Sequence, residues 1–85
     1  MLRNAQNAYL NGMYKEAIDL VVGLRAAPAY TERAWRITGA ACNLKDPKLA
    51  TEAYRHLDTG GRQFVTFVCQ AREIDLVKGE FRTRK

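Results

Sequence analysis

The stretch that decides the fold runs from Trp35 to Tyr54, WRITGAACNLKDPKLATEAY. Its first half carries one helical face, with aromatic, small or apolar residues three and four positions apart. The residues of this face are Trp35, Thr38, Gly39 and Cys42. Asp46 followed by Pro47 is typical of an N-cap and a first-turn proline, so a second helix is expected to begin there. Two short helices joined by a tight turn predict an αα-hairpin, in which Gly39 is expected to let the two helices approach closely.

The same arrangement occurs one unit earlier in the chain. Asn11-Gly12 is a helix-stop signal that separates one short apolar helical face from the next. Ala17 of this first unit corresponds to Ala50 of the second, at a separation of 33 residues. A period near ~34 residues indicates an array of paired helices.

These residues resemble the tetratricopeptide-repeat family. Its order of Trp, Leu-Gly, Tyr, Ala and an aromatic residue is met in the second unit, although Thr38 and Cys42 replace the usual Leu and Tyr. The matching positions are Trp35, Gly39, Ala50 and Tyr54. In the first unit, Gly12-x-Tyr14-x-x-Ala17 resembles the turn and second helix of a repeat. A narrower likeness, to C-terminal modules of bacterial signalling proteins such as serine/threonine kinases, rests on DPKLATEAY and the late cysteine-containing helix.

The fold class is therefore predicted as all-α, a short α-solenoid of two helix-turn-helix repeats plus a C-terminal capping helix. One domain spans residues 1–85, with repeats at about 2–28 and 31–58, a capping helix at about 61–74 and a flexible basic tail at 78–85. The β-branched and aromatic residues of RQFVTFVCQAREI also suit a strand. We expect a helix because a lone strand would have no pairing partner and a repeat array needs a terminal helix.

Composition argues against several classes of function. No apolar run approaches the ~18 residues of a membrane span, so a soluble, cytoplasmic protein is expected. Cys42 and Cys69 are predicted as buried free thiols, with a disulfide left open. Because the chain has a single histidine, His56, and no CxxC spacing, we expect no metal site and no cofactor. Without a serine or a phosphate-binding glycine loop, the chain is predicted not to be an enzyme.

The resemblance implies a concave surface lined by the first helix of each pair, where an extended peptide of a partner protein is held. Arginines there would grip acidic side chains or a terminal carboxylate. The alternatives are that Tyr9, Ile37 and Phe67 belong to the core and that Arg33 and Arg36 lie on a solvated face. The candidate partner-binding residues are Arg3, Gln6, Tyr9, Arg33, Arg36, Asn43, Gln63 and Gln70.

The net charge of +5 and the pI near 9.6 support a second class of partner. An excess of basic residues attracts nucleic acid, although here they are scattered along the sequence apart from FRTRK at its end. The primary prediction is a non-enzymatic adaptor that binds a protein or an acidic peptide. The alternative is a basic helical module that binds nucleic acid, or a structural, self-associating domain of a larger bacterial signalling protein.

Overall fold

A computed structural model describes residues 2–84 of the chain. Within that range the polypeptide forms helices first and ends in a β-hairpin. The α-helices are α1 (Leu2–Leu10), α2 (Tyr14–Val21), α3 (Thr31–Thr38), α4 (Pro47–Arg55) and α5 (Thr59–Gln70), with 3-10 helices at Val22–Leu24 and Gly39–Leu44 and strands β1 (Ile74–Val77) and β2 (Glu80–Thr83).

Small side chains dominate the core between the helices. Alanines from four of the α-helices are fully or almost fully buried, and each lets a neighbouring backbone approach closely. These alanines are Ala5, Ala8, Ala17, Ala34, Ala50 and Ala53. Larger side chains fill the space between them, above all Val21 of α2 and Val65 of α5, which are both 0% exposed. The core is thin, as expected for a chain of this length.

Two aspartates set where the last two helices begin. Asp46 accepts a hydrogen bond from the Leu49 amide at 3.1 Å and Pro47 opens α4, which confirms the predicted start of that helix. Asp58 accepts from the Gly61 amide at 2.9 Å and caps α5. The glycine pair at 60–61 therefore lies in the first turn of α5.

Gly39 makes a close approach, but to a different helix from the one expected. A Cβ built on Gly39 would collide with Cγ2 of Val65. The contact therefore joins the 3-10 helix Gly39–Leu44 to α5, whereas the predicted contact joined the two helices of the second unit. The glycine is needed because the side chain of Val65 occupies the space that a Cβ would take.

The all-α prediction is wrong at the C-terminus, where residues 74–83 form a two-stranded antiparallel sheet. The capping helix ends at Gln70 rather than residue 74, and part of the predicted flexible tail is strand β2. Lys78 and Gly79 form the turn, with φ angles of 53° and 83°. This is the tight two-residue turn that suits the twist of a hairpin. Ile74 and Phe81 bury the inner face against the helices.

The prediction of free thiols is also wrong, since Cys42 and Cys69 form a disulfide. Both residues are buried, as expected, and their Cα atoms lie 5.0 Å apart. The bond forms because α5 packs on the 3-10 helix Gly39–Leu44, which brings together residues 27 positions apart in sequence. Disulfides persist mainly in oxidising compartments, so the cytoplasmic location stays a prediction. No helix within residues 2–84 has the length and apolar character to cross a membrane.

Candidate functional site

A groove of about 230 Å³ lies where α1, α3 and α5 meet. Four of the predicted partner-binding residues line it, and Ile37 and Phe64 complete it. The lining residues are Gln6 and Tyr9 of α1, Arg33, Arg36 and Ile37 of α3, and Phe64 of α5. We call this the α1/α3/α5 groove. Helical spacing explains the shared face: positions three or four apart on one helix project to the same side.

The apolar part of the groove is anchored in the protein interior. The ring of Tyr9 meets Tyr14 edge-on, with centroids 5.7 Å apart, and Phe64 at 6.5 Å. Ile37 is 7% exposed, so for this residue the core alternative is correct. Burial, and secondarily Tyr14, raises the pKa of the Tyr9 phenol. Tyr9 therefore keeps its proton at neutral pH and can donate a hydrogen bond.

The two arginines of the groove have different environments. Arg36 is 43% exposed, and its Nε donates to Oε2 of Glu32 at 2.6 Å, one helical turn earlier. This bond leaves its terminal nitrogens directed towards the first turn of α5, where one would lie 3.7 Å from a Cβ built on Gly60. Arg33 is exposed and forms no ion pair with another residue of the range 2–84.

The other predicted residues lie elsewhere. Gln63 and Gln70 line a separate cleft of about 440 Å³ on the outer side of α5, beside the exposed ring of Phe67. Asn43 accepts a hydrogen bond from Nε of Arg72 at 2.7 Å. Arg3 is exposed on α1 and does not line the groove. The predicted set is therefore divided among several surfaces.

Two features were not predicted from the sequence. Phe64 contributes to the groove, and the signal that could have identified it is its helical spacing from Val68 and Ala71. Basic residues that are scattered in the sequence, among them Lys48 and Arg55, lie beside the C-terminal hairpin. These residues come together because β2 packs against α4. Helical periodicity in the sequence does not predict that packing.

Residues 2–84 contain no group of three or more His, Cys, Asp and Glu side chains that could hold a metal ion. The ring of His56 stacks on Trp35, with centroids 4.1 Å apart and planes inclined by 3°. The guanidinium of Arg25 also lies over Trp35, at 4.8 Å. Cys69 is held in the disulfide with Cys42 and so is not a free thiol.

Comparison of the chain with family models, with curated proteins and with solved structures gave no match. The resemblance to tetratricopeptide repeats therefore stays a prediction from the residues quoted above.

Proposed function

We propose that this chain is a non-enzymatic binding module that holds an acidic peptide segment of a partner protein in the α1/α3/α5 groove. The observation that carries the proposal is the combination of an apolar floor with two guanidinium groups on one short helix. Tyr9, Ile37 and Phe64 form the floor, and Arg33 and Arg36 border it.

The size of the groove indicates how such a peptide is held. A volume of about 230 Å³ lies below the ~300–1,000 Å³ of sites that enclose a whole small molecule. It suits one apolar side chain, such as leucine, placed on the floor while the rest of the peptide runs across the surface. Gln6 and the Tyr9 hydroxyl supply polar groups for the peptide backbone.

The positive charge of Arg33 and Arg36 favours a peptide with acidic residues next to the apolar side chain that occupies the groove. Arg33 and Arg36 lie three residues apart, so they flank the same short length of a bound peptide. A carboxylate held by a guanidinium forms a charge-assisted hydrogen bond worth roughly 1.5–3 kcal/mol. Because Glu32 already pairs with Arg36, Arg33 is expected to contribute more than Arg36 to the free energy of peptide binding.

The test is a fluorescence anisotropy titration with a labelled peptide that carries one leucine flanked by glutamates. Two matched peptides replace the glutamates with lysine or the leucine with serine. The protein variants are Arg33→Gln with Arg36→Gln, and a control with equal charge change, Arg3→Gln with Lys15→Gln. Glutamine keeps helix propensity close to that of arginine, so α3 is preserved.

The wild-type protein should bind the glutamate peptide and prefer it to both matched peptides. The groove variant should bind it at least about tenfold more weakly, since two charge-assisted bonds are lost. The Arg3 and Lys15 control should bind like the wild type. Equal losses in both variants, or a lysine peptide that binds as well as the glutamate peptide, would refute the proposal.

A further inference from the structure

Six basic side chains from separate parts of the sequence line two clefts beside strand β2. The larger cleft, about 590 Å³, lies between α4 and β2 and is lined by Lys48, Arg55 and Arg82. The smaller, about 240 Å³, lies where the segment before α4 meets the turn after α5 and the end of β2. Its basic residues are Lys45, Arg72 and Arg84.

The two clefts form one surface because Thr83 lines both of them. The four residues of β2 span ~13 Å at the rise of an extended strand. The basic side chains therefore follow an elongated path along β2 and past its end. We call this path the basic track.

Carboxylates near the track neutralise only part of its charge. Glu80 forms ion pairs with both Arg82, at 3.2 Å, and Arg55, at 3.7 Å. Asp75 takes two hydrogen bonds from Arg84, at 2.9 and 2.7 Å, which hold that guanidinium in place. All of these pairs are at least one-third exposed, so their charges stay available to a ligand in water.

Within residues 2–84 the remaining cations of the track form no ion pair with a carboxylate, although Glu73 also lines the smaller cleft. Arg72 donates from Nε to the neutral side chain of Asn43, which orients it without cancelling its charge. Lys45 and Lys48 form no ion pair with any residue of the described range 2–84. An elongated path of positive charge complements a ligand that carries negative charges at regular intervals.

We propose that the basic track binds the sugar-phosphate backbone of a double-stranded nucleic acid, independently of base sequence. Lys and Arg contacts to phosphates supply most of the affinity in such binding. They position a protein on the duplex without reading its bases.

The absence of an exposed ring in either cleft favours a duplex over a single strand. Binding of single strands relies on bases that stack on exposed aromatic side chains. The aromatic residue of the larger cleft is Phe81, which is 4% exposed and packs edge-on against Tyr54 at 5.5 Å. A phosphate backbone needs no such ring, because charge and hydrogen bonding suffice.

The test uses a short fluorescein-labelled DNA duplex, a single strand of the same sequence, and vesicles containing phosphatidylserine as a third probe. Anisotropy is recorded for the DNA probes between about 50 and 200 mM salt, and co-sedimentation for the vesicles. The track variant is Lys48→Gln with Arg82→Gln, whose side chains are exposed on opposite walls of the larger cleft. The control is Arg3→Gln with Lys15→Gln, which has the same net charge but changes α1 and α2. Circular dichroism checks that both variants are folded.

The wild-type protein should bind the duplex more tightly than the single strand. The slope of log K against log salt should have a magnitude of no more than about 5, since six cations each contribute about 0.9. The track variant should lower that magnitude by about 2 and bind at least about tenfold more weakly near 0.1 M salt, whereas the control should change little.

Three results would overturn the proposal. The first is no duplex binding at the lowest salt concentration. The second is an equal loss of affinity in the track variant and the control, which would indicate diffuse attraction by net charge. The third is tighter binding to the single strand, or binding to vesicles alone, which would assign the track to a different partner. None of these results bears on peptide binding in the α1/α3/α5 groove, so the two proposals fail separately.

Discussion

The contact between Gly39 and Val65 allows a quantitative test of the packing between the 3-10 helix Gly39–Leu44 and α5. In Gly39→Ala the new Cβ would collide with Cγ2 of Val65, a side chain that is 0% exposed and so cannot move into solvent without repacking. Overpacking of this kind costs about 1–3 kcal/mol. The backbone of Gly39 is helical, with φ −60° and ψ −15°, so alanine itself would be tolerated and would contribute about 0.4–1 kcal/mol of stability. The expected net loss is thus about 0–2.6 kcal/mol.

A double-mutant cycle separates the collision from other effects. Val65→Ala removes Cγ2 and destabilises the protein by leaving a cavity. In that background Gly39→Ala should be neutral or stabilising, because the atom with which it collides is gone. Urea unfolding followed through the fluorescence of Trp35, the only tryptophan, gives the four free energies of unfolding. A Gly39→Ala variant that is more stable than the wild type, with no coupling to Val65, would show that the close contact does not exist.

Three further predictions concern the C-terminal part of the chain. Replacing both cysteines with alanine should lower the free energy of unfolding by about 3–4 kcal/mol, because the disulfide closes a loop with a sequence separation of 27 residues. Unchanged urea unfolding would contradict this. Thr51→Val should cost about 1–3 kcal/mol of stability, because the buried amide of Phe81 loses the Thr51 hydroxyl that accepts its hydrogen bond at 2.9 Å. Thr51→Ser keeps a hydroxyl and should retain most of the stability in the same urea assay. The hydrogen bond from Arg84 lowers the pKa of Asp75, so the stability that this carboxylate contributes is present above about pH 3.9 and is lost as pH falls through its folded pKa. Asp75→Asn should therefore be less stable than the wild type at neutral pH, and a difference that persists unchanged in acid would refute that cause.

The parts of the fold that were predicted correctly rest on local signals. Asp46 and Pro47 marked the start of α4 because capping and a fixed φ are properties of those two residues alone. The helical spacing that starts at Phe64 was a local signal for α5 as well, but the choice of a helix over a strand there also rested on the lack of a pairing partner for a strand. Only the start of α4 was predicted without knowledge of what packs against the helix.

The hairpin was missed because its signal was sought in the wrong segment. A strand near residue 66 was rejected for want of a partner, but the segment IDLV-KG-EFRT carries both strands of its own sheet. Lys78-Gly79 is a weaker turn signal than Asn-Gly or Asp-Gly. Burial of Ile74 and Phe81 under the helices stabilises it, and that packing is not visible in the sequence.

The disulfide and the site depend on tertiary packing. A separation of 27 residues between two cysteines does not indicate whether they meet. Arg33 and Arg36 were placed on one face by helical periodicity, but Gln63 and Gln70 were assigned to the same surface without knowing how α5 is rotated. In the structure, Gln63 and Gln70 lie on the outer side of α5.

The most direct test of peptide binding in the α1/α3/α5 groove is a two-dimensional ¹H–¹⁵N NMR titration of the protein with the leucine-glutamate peptide. If the groove holds the peptide, the largest saturable shifts should fall on amides around Gln6, Tyr9, Arg33 and Phe64, with little change in the β-hairpin. Shifts centred on Arg82 and Thr83, or spread evenly over the surface, would contradict the claim that this groove holds the partner.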